Sequence, residues 1–409
     1  MTTLSGGWTP AYASGFAITA QGAGGMARSS AFTAQADDPS ALYYNPAGIS
    51  QLASTTALIG VTVLRPHAEY DPSATGNATT ERERYYVLPQ LYVTTPLGNN
   101  FSVGLGVFTP FGLSTKWPGD WDGRFQVIDA TIKATTVNPV IAWRATQGLT
   151  AAVGVQYFQV KLSEHRALNM AVGLPGAGEG AVTLSGDARS FGYNAAVLVV
   201  PSDRWQLGLS YRSRVNVEIN DGWADFTVPA LFATSFPDSE IRTALTLPPS
   251  LRAGLMMRPA PDWTIEVDAA WTGWSTIDRM EVQFTGGLSP ETTTFGWRDV
   301  MAYSIGTEYR FSSIMRLRGG YLYDLSPIPD QYATPLIPDA DRQGVSVGVG
   351  VTAARWTLDV GYQFLWFERV KENSVGSSSN STVPPIDARA NGSYRSTAHV
   401  LGVSAGHTF

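Results

Sequence analysis

The sequence predicts an all-β protein: a transmembrane antiparallel β-barrel of about 14 strands with an N-terminal hatch in its lumen. Three observations carry that expectation. Long stretches alternate apolar and polar residues with period two, as in Trp205, Leu207, Leu209 and Tyr211 against Gln206, Gly208, Ser210 and Arg212, which marks strands with one apolar and one polar face. Tight turns alternate with long polar or Gly/Pro-rich connections, the outer-membrane pattern of short periplasmic turns and long extracellular loops. The chain is also poor in charge, 15% against roughly 25% in a soluble domain, while its mean hydropathy is only −0.04.

Composition excludes several alternatives. A helical membrane protein needs apolar runs of roughly 18 residues, and the longest clear run here, Ala195 to Val200, is about six. A net charge of −6 with no basic block argues against nucleic acid as a partner. With no cysteine there is no disulfide framework, thiol chemistry or Cys-based zinc site. His67, His165, His399 and His407 show no ligand spacing, so neither a metal nor any other cofactor is expected.

Residues 1–13 are expected to be the remnant of an export segment. Met1 to Pro10 has neither the basic region nor the apolar stretch of a secretory signal, yet Ala11-Tyr12-Ala13 has the form of a cleavage site. Residues 14–53 read as the hatch. The glycine-rich run Gln21 to Arg28 has no strand before it and no βαβ unit after it, which disfavours a nucleotide loop, whereas a fourteen-stranded barrel has interior room to fill. Residues 54–409 divide into strands at about 54–66, 84–95, 100–110, 127–145, 149–165, 187–200, 205–221, 244–258, 263–284, 296–311, 315–327, 343–353, 356–371 and 394–409, an even number as closure requires. Short turns fall at Pro96–Asn99, Thr146–Gly148, Pro201–Arg204, Pro259–Asp262 and Ser312–Ser313. Trp205, Trp263 and Trp356 each follow a short turn, where a periplasmic aromatic girdle belongs.

The polar face places Arg212, Arg214, Glu218, Glu266, Asp268, Glu308, Arg310, Arg316, Arg318, Asp324 and Asp359 in the lumen, because Lys or Arg facing lipid at the midplane costs about 2–4 kcal/mol. The loop from Ala224 to Leu245 holds Phe226, Val228, Leu231, Phe232 and Phe236. Leu168, Met170, Val172 and Leu174 are expected to form a facing wall, and exposed apolar clusters of this kind mark interaction sites. Lys161 and Arg166 lie near the start of the capture loop and could serve a carboxylate, although basic residues at a barrel rim more often meet lipopolysaccharide phosphates or solvent. The rival of another class is an outer-membrane lipid hydrolase, which needs a serine activated by an oriented histidine. His399 is close to Ser396 in sequence but falls on the Leu401 and Val403 face, so no catalytic residues and no enzyme are expected. A general diffusion porin is disfavoured by the hatch and the apolar loops.

Several motifs resemble the FadL/TodX family of outer-membrane transporters. They are Ser14-Gly15-Phe16, Asp37-Asp38 with Asn45-Pro46-Ala47, Leu247 to Leu255, Trp271 to Ser275, and Trp297-Arg298-Asp299. Leu317 to Tyr321, Asp324 to Pro329, Ile337 to Arg342 and Asn391 to Tyr394 follow, and Phe409 resembles the terminal aromatic read by the outer-membrane assembly machinery. The resemblance implies passive uptake of hydrophobic molecules, most of all long-chain fatty acids or alternatively aromatic hydrocarbons, by a monomer in the outer membrane. It further implies capture on extracellular loops and lateral exit at a kinked third strand faced by the hatch residues Asn45, Pro46 and Ala47. The third strand carries Gly104 and Gly106 and ends at Pro110. Glycine and proline weaken strand pairing, so these two glycines are the expected lateral opening.

Overall fold

The computed structural model describes residues 15–72, 78–172, 174–329, 332–371 and 392–409; the expected export remnant, 1–13, lies outside them. The described residues form fourteen barrel strands. The first six are β1 (Thr56–Pro72), β2 (Tyr86–Leu97), β3 (Phe101–Lys116), β4 (Asp129–Thr146), β5 (Leu149–Asn169) and β6 (Glu179–Ser202). The next four are each interrupted: β7 (Trp205–Arg212 and Val215–Thr227), β8 (Ser239–Leu247 and Ser250–Ala260), β9 (Trp263–Thr272 and Arg279–Phe284) and β10 (Glu291–Thr294 and Val300–Arg310). The last are β11 (Met315–Asp324), β12 (Arg342–Ala353), β13 (Trp356–Lys371) and β14 (Gly392–Thr408). Successive strands pair antiparallel, and β14 returns to β1 from Thr408 opposite Thr56 to Gly392 opposite Pro72, which closes the barrel. Closure pairs the first strand with the last, so the sheet has no terminal edge strand in a solvent that offers no hydrogen bonds.

The alternation expected for β7 breaks at Ser213 and Arg214. Trp205, Leu207 and Leu209 are exposed on the outer wall, but Val215, Val217 and Ile219 are only 1–2% exposed and face inward. Ser213 causes the switch: its N–H donates to the Tyr193 carbonyl and its hydroxyl accepts from the Tyr193 N–H, both at 2.9 Å, and the register against β6 shifts beyond it. β8 changes face at the same height across Pro248 and Pro249, which have no N–H for a ladder. Arg214 and Glu218 therefore lie on the outside, correcting their expected lumenal placement. Glu266, Asp268, Arg318, Asp324 and Asp359 are buried inside as their parity requires.

The interior consequently has two parts. On the extracellular side Phe16, Val215, Val217, Ile219, Leu247, Trp274 and Trp297 belong to one apolar cluster. On the periplasmic side the barrel holds the segment from Gln21 onward, with single-turn helices Ala23–Met26 and Ala41–Tyr44 and the 3-10 turn Pro46–Gln51, nearly all of it buried. Two wall carboxylates grip four consecutive amides of this segment. Asp268 Oδ2 accepts from Phe32 N at 3.1 Å and Thr33 N at 3.0 Å, and Glu266 accepts from Ala34 N at 2.6 Å and Gln35 N at 2.9 Å. Arg212 donates to the carbonyls of Leu42 at 3.1 Å and Tyr43 at 2.6 Å. Arg318 pairs with Asp359 and, at 2.6 Å, with Glu308, which lies 3.8 Å from Arg28. Gly208 lets the wall approach this closely, since a Cβ there would overlap the Thr33 carbonyl.

Candidate functional site

Three largely apolar cavities lie between the extracellular loops and the barrel wall. At the outer end Leu168, Met170 and Val182 are buried, and Phe226, Val228, Phe232 and Phe236 pack against them. Their small cavity, about 140 Å³, is bounded by Arg166 and Glu291, whose ion pair at 2.5 Å cancels the charge at that end. Leu184, Phe226 and Phe284 continue inward onto Ile241 and Val282, which line a second cavity of about 120 Å³ together with Phe295 and Trp297. A third cavity of about 400 Å³ follows, and it shares Phe16, Leu113, Ile132 and Ile337 with the second. Phe16 is thus the partition, held edge-on to Trp274 at 4.7 Å between ring centres.

The large cavity reaches the wall between β2 and β3. Their ladder ends at Leu91 opposite Val107, and among the described residues no ladder pair joins Tyr86–Gln90 to β3. The cause is a bulge: against β4, Thr109 and Pro110 occupy the span that Thr135 alone occupies opposite, so the strand bends, and Pro110 has no N–H to give. The hatch supplies a substitute edge. Ile18 N donates to the Pro110 carbonyl and Gly112 N to the Phe16 carbonyl, both at 2.9 Å, and Gln21 Nε2 donates to the Thr109 carbonyl at 2.5 Å. Leu88, Tyr86 and Gly112 line the cavity at this gap, with Glu81 and Arg84 close by. Burial pushes the Glu81 carboxyl up to about 7, against the opposing pull of the Lys116 N–H that it accepts at 3.0 Å. Below neutral pH Glu81 therefore adds little negative charge to this corner of the cavity.

Comparison with known proteins places this architecture. The family model described as outer membrane protein transport protein (OMPP1/FadL/TodX) matches residues 6–409. The chain belongs to this family. It is 24% identical to the long-chain fatty acid transport protein of Salmonella typhi, over 89% of this chain and 90% of that protein. It is 22% identical to outer membrane protein P1 of Haemophilus influenzae, over 79% and 75% of the two chains. Among solved structures its fold is similar to a Pseudomonas aeruginosa FadL homologue, with a TM-score of 0.85, 18% identity and coverage of 97% and 100%. The Pseudomonas putida toluene transporter TodX gives 0.68 at 18% identity, covering 91% and 94%. The protein is an outer-membrane barrel of the FadL/TodX family.

Within this FadL/TodX-family barrel the expected site residues are placed unevenly. The loop residues and their facing wall do meet, but as a packed cluster in which Leu168 and Met170 are 3% exposed, while Leu231 points outward at 72%. The side chain of Val172 lies outside the described set. Gly104 and Gly106 sit in the paired part of β3, opposite Thr94 and Tyr92, and the break comes at Thr109 and Pro110 instead. Gly104 serves the hatch, since a Cβ there would press on Leu42 at 2.7 Å. Asn45 is buried away from the gap: its amide donates to the carbonyls of Thr33 at 2.7 Å and Val197 at 3.2 Å, and its oxygen accepts from Ala47 N at 3.1 Å, which starts the turn at Pro46. The segment Phe16 to Gln21 faces the gap in its place. His399 bonds to the Tyr362 hydroxyl at 2.7 Å on the outer wall, while Ser396 is buried; no serine–histidine pair forms there.

Proposed function

We propose that the protein takes up hydrophobic molecules passively across the outer membrane, long-chain fatty acids foremost. In this reading cargo enters at the loop cluster of Leu168, Phe226 and Phe236, passes Phe16 and leaves sideways between β2 and β3. The observation that carries the proposal is the run of cavities ending where the β2–β3 ladder stops. An apolar cargo gains about 25 cal/mol per Å² when it leaves water and would forfeit that gain on a route past the buried charges of Arg28, Glu308, Arg318 and Asp359. Exit through the wall returns it to hydrocarbon. Arg84 at the large cavity is a cation a carboxylate could meet on the way. The name of the Salmonella typhi relative supports the fatty-acid reading. The aromatic alternative draws on the likeness to a toluene transporter and on the Phe16, Phe295 and Trp297 lining. The protein acts as a monomer, and Phe409, 65% exposed and bonded through its N–H to the Thr55 carbonyl at 2.9 Å, serves the assembly machinery.

The test is uptake by cells lacking other transporters of this kind. Labelled oleate entering faster than in vector controls supports the fatty-acid reading. Entry of toluene alone moves the protein to the aromatic branch. Equal entry of a small sugar would leave only a porin.

A further inference from the structure

Three of the chain's four lysines, Lys116, Lys133 and Lys161, stand on the outer wall of three adjacent strands. Lys133 of β4 is directly opposite Lys161 of β5. Both are exposed, while their neighbours Ile132, Ala134 and Val160 belong to the interior cluster, so both ammonium groups face away from the lumen. Like charges directly opposite one another destabilise a strand pair. Among the described residues neither lysine has a carboxylate within ion-pair distance, although Asp187 of β6 is next in the row. One step toward the membrane, Gln159 pairs with the exposed Arg189. One step further the row is Val137, Tyr157 and Phe191, where the two rings stand 5.3 Å apart and Phe191 is 67% exposed. Away from the membrane, Lys116 shares Asp129 with Arg84, and Arg82 and His165 border the same open depression.

Height along the barrel identifies what this row meets. Trp143, 50% exposed, marks the opposite rim of β4. Ten residues separate it from Lys133, about 34 Å along a strand and about 26 Å along the membrane normal at a tilt of about 40°. The apolar band of such a barrel is about 25 Å tall, so Lys133 and Lys161 stand at the head groups of the outer leaflet, just beyond an aromatic row of the kind that marks the interface. In a chain of net charge −6 this is a concentrated cationic site, and lysine is a point-charge ligand for phosphate.

We propose that Lys133, Lys161 and Arg189 form a binding site for the phosphates of an anionic glycolipid of the outer leaflet, beside the β2–β3 gap. Gly112, which lines the gap, is the ladder partner of Lys133, so a bound head group would stand at the edge of that opening. The proposal depends on the outer-membrane placement and not on which cargo is carried, so it can fail while uptake stands.

The test uses the full chain in an uncharged detergent and measures binding of bisphosphorylated and dephosphorylated lipid A by native mass spectrometry. The wild type is expected to bind the phosphorylated form at least tenfold more tightly. Lys133→Gln/Lys161→Gln should lose that preference, and Arg310→Gln at the opposite rim should keep it. Equal binding of the two lipids, an unchanged preference in the double variant, or displacement of the lipid by oleate would each overturn the proposal. If the double variant does not fold, as judged by heat-dependent gel mobility, Lys161→Gln and the wild-type comparison of the two lipids decide the matter.

Discussion

Replacing Glu266 and Asp268 together with alanine should release the hatch while leaving the barrel standing. These carboxylates accept from the amides of Phe32, Thr33, Ala34 and Gln35 at 2.6–3.1 Å. Two buried carboxyls in contact share one negative charge; two bonds to a charged acceptor at about 1.5–3 kcal/mol each and two to a neutral one at about 0.5–1.5 amount to about 4–9 kcal/mol gross. Two losses must be set against that sum: the alanines leave room for water to reach the freed amides, and removing both acids relieves the mutual proximity of two buried carboxyls. Retaining about half gives about 2–4.5 kcal/mol of lost docking, or roughly 30- to 2,000-fold in the undocked population. The barrel should keep its heat-dependent gel mobility, because the strands pair through backbone bonds that the substitution does not touch. Amide hydrogen exchange at residues 32–35 reads the population directly. Exchange that stays within tenfold of wild type in a folded barrel would refute the assignment of these two residues as the principal hold on the hatch.

Phe16→Ala should merge the second and third cavities and lower thermal stability, since the ring is 4% exposed among Trp274, Trp297 and Phe111; truncating a core Phe costs about 3–5 kcal/mol, and a melting temperature within a degree of wild type would contradict the partition. Glu81 supplies a pH test. Its folded pKa, about 7, lies above the ordinary 4.5, so its contribution to stability is fully present below pH 4.5 and lost as the pH rises through 7. Wild type should therefore lose stability from pH 5 to 8 relative to Glu81→Gln, by at most about 1.4 kcal/mol per pH unit, in paired denaturation curves. Gly208→Ala should destabilise the protein, because the methyl group meets the Thr33 carbonyl, whereas Gly119→Ala, with nothing near the added atom, should be neutral in the same melts.

Most of the barrel was legible because period two is a strong signal where a wall separates lipid from lumen. The tight turns at Thr146–Gly148 and Pro201–Arg204 and the outward Trp205, Trp263 and Trp356 followed from it directly. Parity, however, does not say which side is which. Val215, Val217 and Ile219 alternate with Asn216 and Glu218 just as Trp205, Leu207 and Leu209 do with their polar neighbours, and a switch at Ser213 reverses the faces without disturbing the pattern. The adjacent prolines at 248 and 249, at the same height on the next strand, were the available signal for such an interruption. The β2–β3 ladder stops elsewhere than at the strand glycines for a related reason. Glycines at 104 and 106 suggested weak pairing, yet they remain in the ladder to admit Leu42. The bulge needed the partner strand to be seen, since it is defined by two residues opposite Thr135. Pro110 is an end-of-strand signal in the sequence, and in the fold it stands inside β3 at the bulge. The loop aromatics were identified from composition alone, but composition does not distinguish an open groove from the packed cluster that Leu168 and Met170 make with Phe226.

The most direct test of lateral transport is to close the gap. Deleting Pro110 removes the extra residue of the bulge, restores one-to-one register with β4 and allows the β2–β3 ladder to continue past Leu91 and Val107. The account predicts that this variant assembles in the outer membrane with normal heat-dependent mobility while oleate uptake falls to the level of cells without the protein. Uptake at the wild-type rate through a barrel shown to be closed there would contradict it.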